Sequence, residues 1–107
     1  MPVQVSVIIP THNPDLGRLR RTLSGLRAQT LPADEWEILV VDNASVPALE
    51  VELVREFAPA NLRVVREPRL GLTSARRRGF TEARAPLCVL VDDDNLLAPD
   101  YLAHLIR

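Results

Sequence analysis

Apolar positions follow two rhythms along this chain. Val3 to Ile9, Trp36 to Val41, Leu62 to Val65 and Leu87 to Val91 are largely apolar runs rich in β-branched residues, the pattern of strands buried in a parallel sheet. The first stops at Pro10, and the second and fourth open directly into Asp42-Asn43-Ala44-Ser45 and Asp92-Asp93-Asp94-Asn95. Between them, Leu16, Leu19, Leu23 and Leu26 recur at three- and four-residue spacing, with Arg18, Arg20, Arg21 and Arg27 mostly off the stripe. This predicts an amphipathic helix capped by Asp15 or a neighbour. A second helix is expected from Pro47 through Leu49, Leu53, Val54 and Phe57 to a break at Pro59. A third should follow Gly71, with Thr73 or Ser74 as its N-cap, and close near Ala85-Pro86. A short last helix spans Asp100 to Ile106.

Strands alternating with helices argue for βαβ units. The expected fold class is α/β, a Rossmann-like three-layer sandwich with a mainly parallel sheet. Ligands of such sheets bind beyond the carboxyl ends of the strands. Thr11 to Asn13, Asp42 to Ser45 and Asp92 to Asn95 all follow strands, so they should converge on one edge.

Composition narrows the classes. At 107 residues the chain is read as one domain, and a net charge of -1 favours neither a nucleic-acid-binding surface nor an acidic tail. All thirteen basic residues are Arg, which removes chemistry that needs a lysine. Cys88, the one cysteine, is expected as a small apolar residue in a buried strand and points to a reducing, cytoplasmic setting. No run approaches the roughly 20 apolar residues of a membrane span, although a longer protein containing this chain could be membrane-associated.

Three consecutive carboxylates repel one another, and a cation shared by Asp92 and Asp94, which alternate to one side of an extended strand while Asp93 faces the other, would offset that. Oxygen ligands at this density suit Mg²⁺ or Mn²⁺ held together with substrate phosphates; a helix cap with solvated acids is the plainer alternative. Asp42 and Asn43 supply directed hydrogen-bonding groups for a base or ribose, or simply form a turn. Arg76, near a helix N-terminus, is placed to pair with phosphate oxygens, while Arg77 and Arg78 read as a solvated face. His12 and His104 read as loop or surface residues, with His12 the better ligand candidate. Trp36 and Tyr101 read as packing residues.

Val5-Ser6-Val7-Ile8-Ile9-Pro10-Thr11-His12-Asn13, Glu37 to Ser45, Gly71 to Gly79 and Val91-Asp92-Asp93-Asp94-Asn95 with Pro99-Asp100 together resemble the N-terminal half of a family 2 glycosyltransferase with the GT-A fold. The likeness covers essentially the whole chain. It implies that residues 1–107 are the nucleotide-diphospho-sugar-binding part of such a domain, with the acceptor-binding half absent. Pro10, Thr11 and Asn13 would lie around the nucleoside. Asp42 would bond the base, most often uracil, with Asn43 beside it, and Arg76 would approach the base or diphosphate. In the acid-x-acid motif Asp94 would be the direct metal ligand, with Asp92 nearer the ribose or a metal-bound water and Asp93 a supporting acid. The activity implied is metal-dependent, inverting sugar transfer from a nucleotide-diphospho-sugar, a UDP-sugar first, to an acceptor hydroxyl. The catalytic base would lie beyond Arg107, so this chain alone is expected to bind donor weakly and to transfer sugar poorly or not at all. Self-association through an exposed sheet edge is also expected.

Other classes fit less well. A phosphoacceptor signalling domain shares the sheet and the acidic pocket but needs a lysine, and none is present. A sugar nucleotidyltransferase would show a Gly-rich loop where Thr11-His12-Asn13-Pro14 stands. A non-catalytic nucleotide-binding module is the alternative that survives for this chain taken alone.

Overall fold

In the computed structural model, which describes residues 3–58 and 60–106, the two most β-branched runs become the central strands, β1 (Val5–Thr11) and β2 (Trp36–Asn43). With β3 (Leu62–Glu67) and β4 (Leu87–Leu90) they form one sheet in the order β3-β2-β1-β4, every pairing parallel. Alternate residues serve opposite layers. Val5, Val7, Ile9, Ile38 and Val40 pack with Leu19, Leu23 and Leu26 of helix α1 (Leu16–Arg27) and with Leu102 of helix α3 (Tyr101–Leu105). Ile8, Leu39 and Val41 meet Ala75 of helix α2 (Leu72–Glu82) on the other face. The three-layer α/β expectation holds, and Asp15 caps α1 by accepting the Arg18 N–H at 3.1 Å.

Five local expectations are corrected. The helix predicted from Pro47 is two short 3-10 turns, Val51–Leu53 and Arg55–Phe57; the Leu49 N–H is taken by the Asp42 carboxylate, and Val51 and Val54 are poor helix formers. Pro59, expected to end it, lies outside the described residues. Helix α2 is capped by Gly71 at φ 140°, without a side-chain cap from Thr73 or Ser74. Strand β4 is an edge strand, not a buried one, and Leu87 and Leu90 are exposed. Cys88 is accordingly only half-buried, although burial and the nearby Glu37 carboxylate still push its thiol pKa up. Trp36 packs as expected, donating to the Leu31 carbonyl at 3.1 Å, whereas Tyr101 is 40% exposed.

The amino end of the sheet is locked by a buried carboxylate. Glu37 Oε2 accepts from the Ser6 hydroxyl at 2.6 Å and from the Arg84 N–H at 2.7 Å, and Arg63 lies 3.4 Å from Oε1. Burial works against the charge, but the Ser6 and Arg84 hydrogen bonds and the Arg63 guanidinium outweigh it and hold this carboxyl below its usual range. Among the described residues no helix is long and apolar enough to cross a membrane.

Candidate functional site

Strand order reverses between β1 and β4, so the crevice of this sheet lies at the carboxyl end of β1. There Thr11, buried, donates to Asp93 Oδ2 at 2.6 Å, and Thr22 of α1 donates to the Asp93 carbonyl at 3.1 Å. The ladder closes with the Val91 N–H on the Ile8 carbonyl, and the chain turns as the Asn95 N–H reaches the Asp92 carbonyl at 3.2 Å. The acids therefore sit on a turn. Asp93 and Asp94 lie in a turn and not in an extended strand, so strand alternation is not what sets their directions, although Asp93 does face inward to Thr11 while Asp92 and Asp94 face solvent. Asp92 and Asp94 are exposed, and their carboxylates have no protein partner among the described residues. No group of three or more His, Cys, Asp or Glu among those residues is arranged to hold a metal.

The loops after β1 and β2 are stitched together by side chains. Asn13, at φ 44°, takes the left-handed conformation that Asn tolerates. Its N–H donates to Ser45 Oγ at 2.8 Å, and its Oδ1 accepts the Val46 N–H at 2.8 Å. His12 donates from Nδ1 to the Asn43 carbonyl at 2.6 Å. Pro10 is half-buried beside Thr11. An apolar pocket of about 210 Å³ opens between these loops, lined by Pro14, Leu16, Pro47 and Leu49 among others.

Asp42 is 1% exposed, and its two oxygens are treated differently. Oδ2 accepts the Leu49 N–H at 2.9 Å and Arg66 Nη1 at 2.7 Å; Oδ1 is buried without any partner. Asn43 is fully committed as a donor, giving its two amide hydrogens to the carbonyls of Glu67 at 3.1 Å and Arg69 at 2.6 Å, while Oδ1 accepts the Gly71 N–H at 2.9 Å. That bond sets the start of α2, at a backbone angle that favours glycine.

Arg76, in the second turn of α2, is exposed and shares a shallow groove of about 300 Å³ with Thr73, Arg77 and Phe80. No protein partner holds it among the described residues. Arg78, expected as a solvated residue, is instead structural, 3.0 Å from Glu67 and 3.5 Å from Glu82. The Arg69 N–H, with support from Arg78, holds the Glu67 carboxyl below its ordinary range. The sheet edge thus brings together two bonded groups, Thr11 with Asp93 and the Asn13, Asp42 and Asn43 loops, with Arg76, Asp92 and Asp94 exposed. Arg66 is the residue that sequence reasoning passed over; its one signal was a basic residue directly following the apolar run Val64-Val65.

A family model described as Glycosyl transferase family 2 matches residues 6–107. Validoxylamine A glucosyltransferase of Streptomyces hygroscopicus subsp. limoneus is 33% identical over 105 residues, covering 95% of this chain and 23% of that protein. Glycosyltransferase AglE of Haloferax volcanii is 32% identical over 93 residues, covering 84% and 30%. Among solved structures, S. aureus TarS 1-349 in complex with UDP-GlcNAc superposes with a TM-score of 0.80 at 25% identity, over 97% of this chain and 30% of that one. Mannosyltransferase PcManGT from Pyrobaculum calidifontis, in complex with GDP-Man and Mn²⁺, gives 0.79 at 28% identity, over 99% and 33%. The chain spans about a quarter to a third of the length of these two curated relatives.

Proposed function

This chain belongs to glycosyl transferase family 2 and has the GT-A fold, and on that footing we propose that it forms the donor side of a sugar-transfer site and binds a nucleotide-diphospho-sugar, a UDP-sugar first. The observation that carries the reading is Asp42 Oδ1, a buried acceptor with no partner at the carboxyl edge of the sheet. A base presenting an N–H would satisfy it, and a buried polar atom left unmade is costly. Solved relatives holding UDP-GlcNAc or GDP-Man support the same ligand class.

In this reading Pro10, Thr11 and Asn13 border the nucleoside, Asp42 reads the base, Asn43 orients the loop beside it and Arg76 faces the diphosphate. A divalent cation fits the residues present: Mg²⁺ and Mn²⁺ bind through one or two carboxylates together with substrate phosphates, and Asp94 and Asp92 are the two carboxylates free to serve, while Asp93 is engaged by Thr11. When bound, such an ion neutralises the diphosphate leaving group. The transfer served is attack of an acceptor hydroxyl on the anomeric carbon with inversion, breaking the bond to the diphosphate. The hydroxyl proton goes to a base, a role assigned to no residue of this edge, and on this reading the isolated chain acts as a nucleotide-binding module with little or no transfer activity. We place it on the cytoplasmic side, consistent with its single cysteine.

Calorimetric titration with UDP, GDP and their sugars, with and without Mn²⁺, tests this. Metal-strengthened binding of one nucleotide is the expected result. Absence of binding at millimolar concentration would overturn the reading and leave only a fold.

A further inference from the structure

We infer that Arg66 is a positioning residue that aims Asp42 at the nucleotide base, an inference that rests on the donor-site reading above. Arg66 and Asp42 are register partners on neighbouring parallel strands, so the sheet itself sets them side by side. A guanidinium facing a carboxylate commonly makes a two-pronged pair that covers both oxygens. Here the fork is split: Nη1 meets Asp42 Oδ2 at 2.7 Å, and Nη2 reaches the Ser45 carbonyl at 3.3 Å. The Leu49 N–H adds a second donor to the same Oδ2. Two donors therefore converge on one oxygen, and the other is left buried and bare.

That asymmetry has a chemical meaning. The free oxygen can only accept, so the base opposite it must donate. Uracil and guanine present a ring N–H, whereas cytosine offers only its exocyclic amino group, beside an unprotonated ring nitrogen that a carboxylate repels. Because its second arm is anchored on the loop after β2, Arg66 fixes the rotation of the carboxylate as well as its charge balance. Lysine, a point charge without a fork, supplies only the second of these.

The test compares the wild-type chain with Arg66→Lys and Arg66→Met by calorimetry in Mn²⁺, using UDP, GDP, CDP and inorganic pyrophosphate, with folding checked by circular dichroism. The wild type is expected to bind UDP or GDP at least tenfold more tightly than CDP. Arg66→Lys should keep the fold, lose three- to tenfold in affinity for the preferred nucleotide and narrow its margin over CDP, with pyrophosphate binding within twofold of wild type. Arg66→Met should lose more on the same pattern, and if it fails to fold, Arg66→Lys alone decides. Unchanged nucleotide affinity and margin in Arg66→Lys would overturn the positioning role while leaving the donor site standing. Equal loss of pyrophosphate and nucleotide would also overturn it, because Arg66 would then be a phosphate contact. A wild type that binds no nucleotide removes the donor-site reading and this inference together.

Discussion

The Thr11 hydroxyl and the Asp93 carboxylate, 82 positions apart in sequence, meet at 2.6 Å across the point where the sheet reverses its strand order. Hydrogen bonds to charged groups contribute about 1.5–3 kcal/mol, and this one holds the acidic turn against the end of β1. Thr11→Val, nearly isosteric, is expected to lower stability by about 1–2 kcal/mol in urea unfolding. It should also weaken Mn²⁺-dependent UDP binding, because the turn that carries Asp92 and Asp94 loses its tether. Unaltered stability would show the contact to be dispensable.

If Asp94 is the principal metal-binding carboxylate, Asp94→Asn should reduce UDP affinity at least tenfold in Mn²⁺, and Asp92→Asn should reduce it less. In EDTA all three proteins should bind UDP equally. A difference that persists in EDTA would mean that the acids act on the nucleotide without a cation.

Helix α2 lies unusually close to the sheet at Gly79, where an added Cβ would stand 2.4 Å from Ile8 Cγ2. Alanine would improve helix propensity by about 0.5–1 kcal/mol, but overpacking costs about 1–3 kcal/mol. Since Ile8 is wholly buried and has little room to yield, Gly79→Ala is expected to lower Tm, measured by thermal circular dichroism. A raised Tm would mean that the helix can lift off the sheet at small cost.

Acid should loosen the amino end of the sheet through Glu37. Its carboxyl pKa is lowered from the ordinary 4.5 in the folded chain, so the unfolded chain binds the proton more readily. The stability this provides is complete above about pH 4.5 and is lost as the pH falls through the folded value. Glu67, lowered as well, acts with the same sign. Urea midpoints should therefore fall below pH 4.5, and Glu37→Gln should flatten that limb of the profile while lowering stability at neutral pH.

The two edges of the sheet are defended unequally. Strand β3 carries the partly buried Arg63 and the exposed Arg66, and charged edges resist pairing with other strands. Strand β4 carries no charge and leaves Leu87 and Leu90 exposed, with Phe80 also exposed on α2. Light scattering of the 107-residue chain should show association that grows with concentration, and Leu90→Lys should suppress it. A concentration-independent monomer would count against self-association at this edge.

The central strands were legible because parallel strands covered on both faces are nearly uniform in apolar content, and α1 because its leucines keep helical spacing on one side. The misreadings have the same root. Leu49, Leu53, Val54 and Phe57 imitate helical spacing, yet the Leu49 amide is claimed by Asp42, a partner seven residues upstream that apolar spacing does not report. Leu87 to Leu90 read as buried because apolar content reports what a strand prefers and not which neighbour it has. At the site, the clustering of Thr11, Asn13, Asp42 and the acidic turn followed from strand ends alone. Arg66 did not stand out among thirteen arginines, since its importance arises from sheet register.

Five backbone amides at the site edge, those of Asn13, Val46, Leu49, Arg69 and Gly71, donate to side chains of Ser45, Asn13, Asp42, Glu67 and Asn43. In hydrogen-exchange terms these loops should be slow where irregular backbone normally exchanges fast. Each protected amide also has its own key. Replacing Asn43 should release Gly71, replacing Ser45 should release Asn13, and replacing Asp42 should release Leu49, so that the wiring of the site can be read one amide at a time.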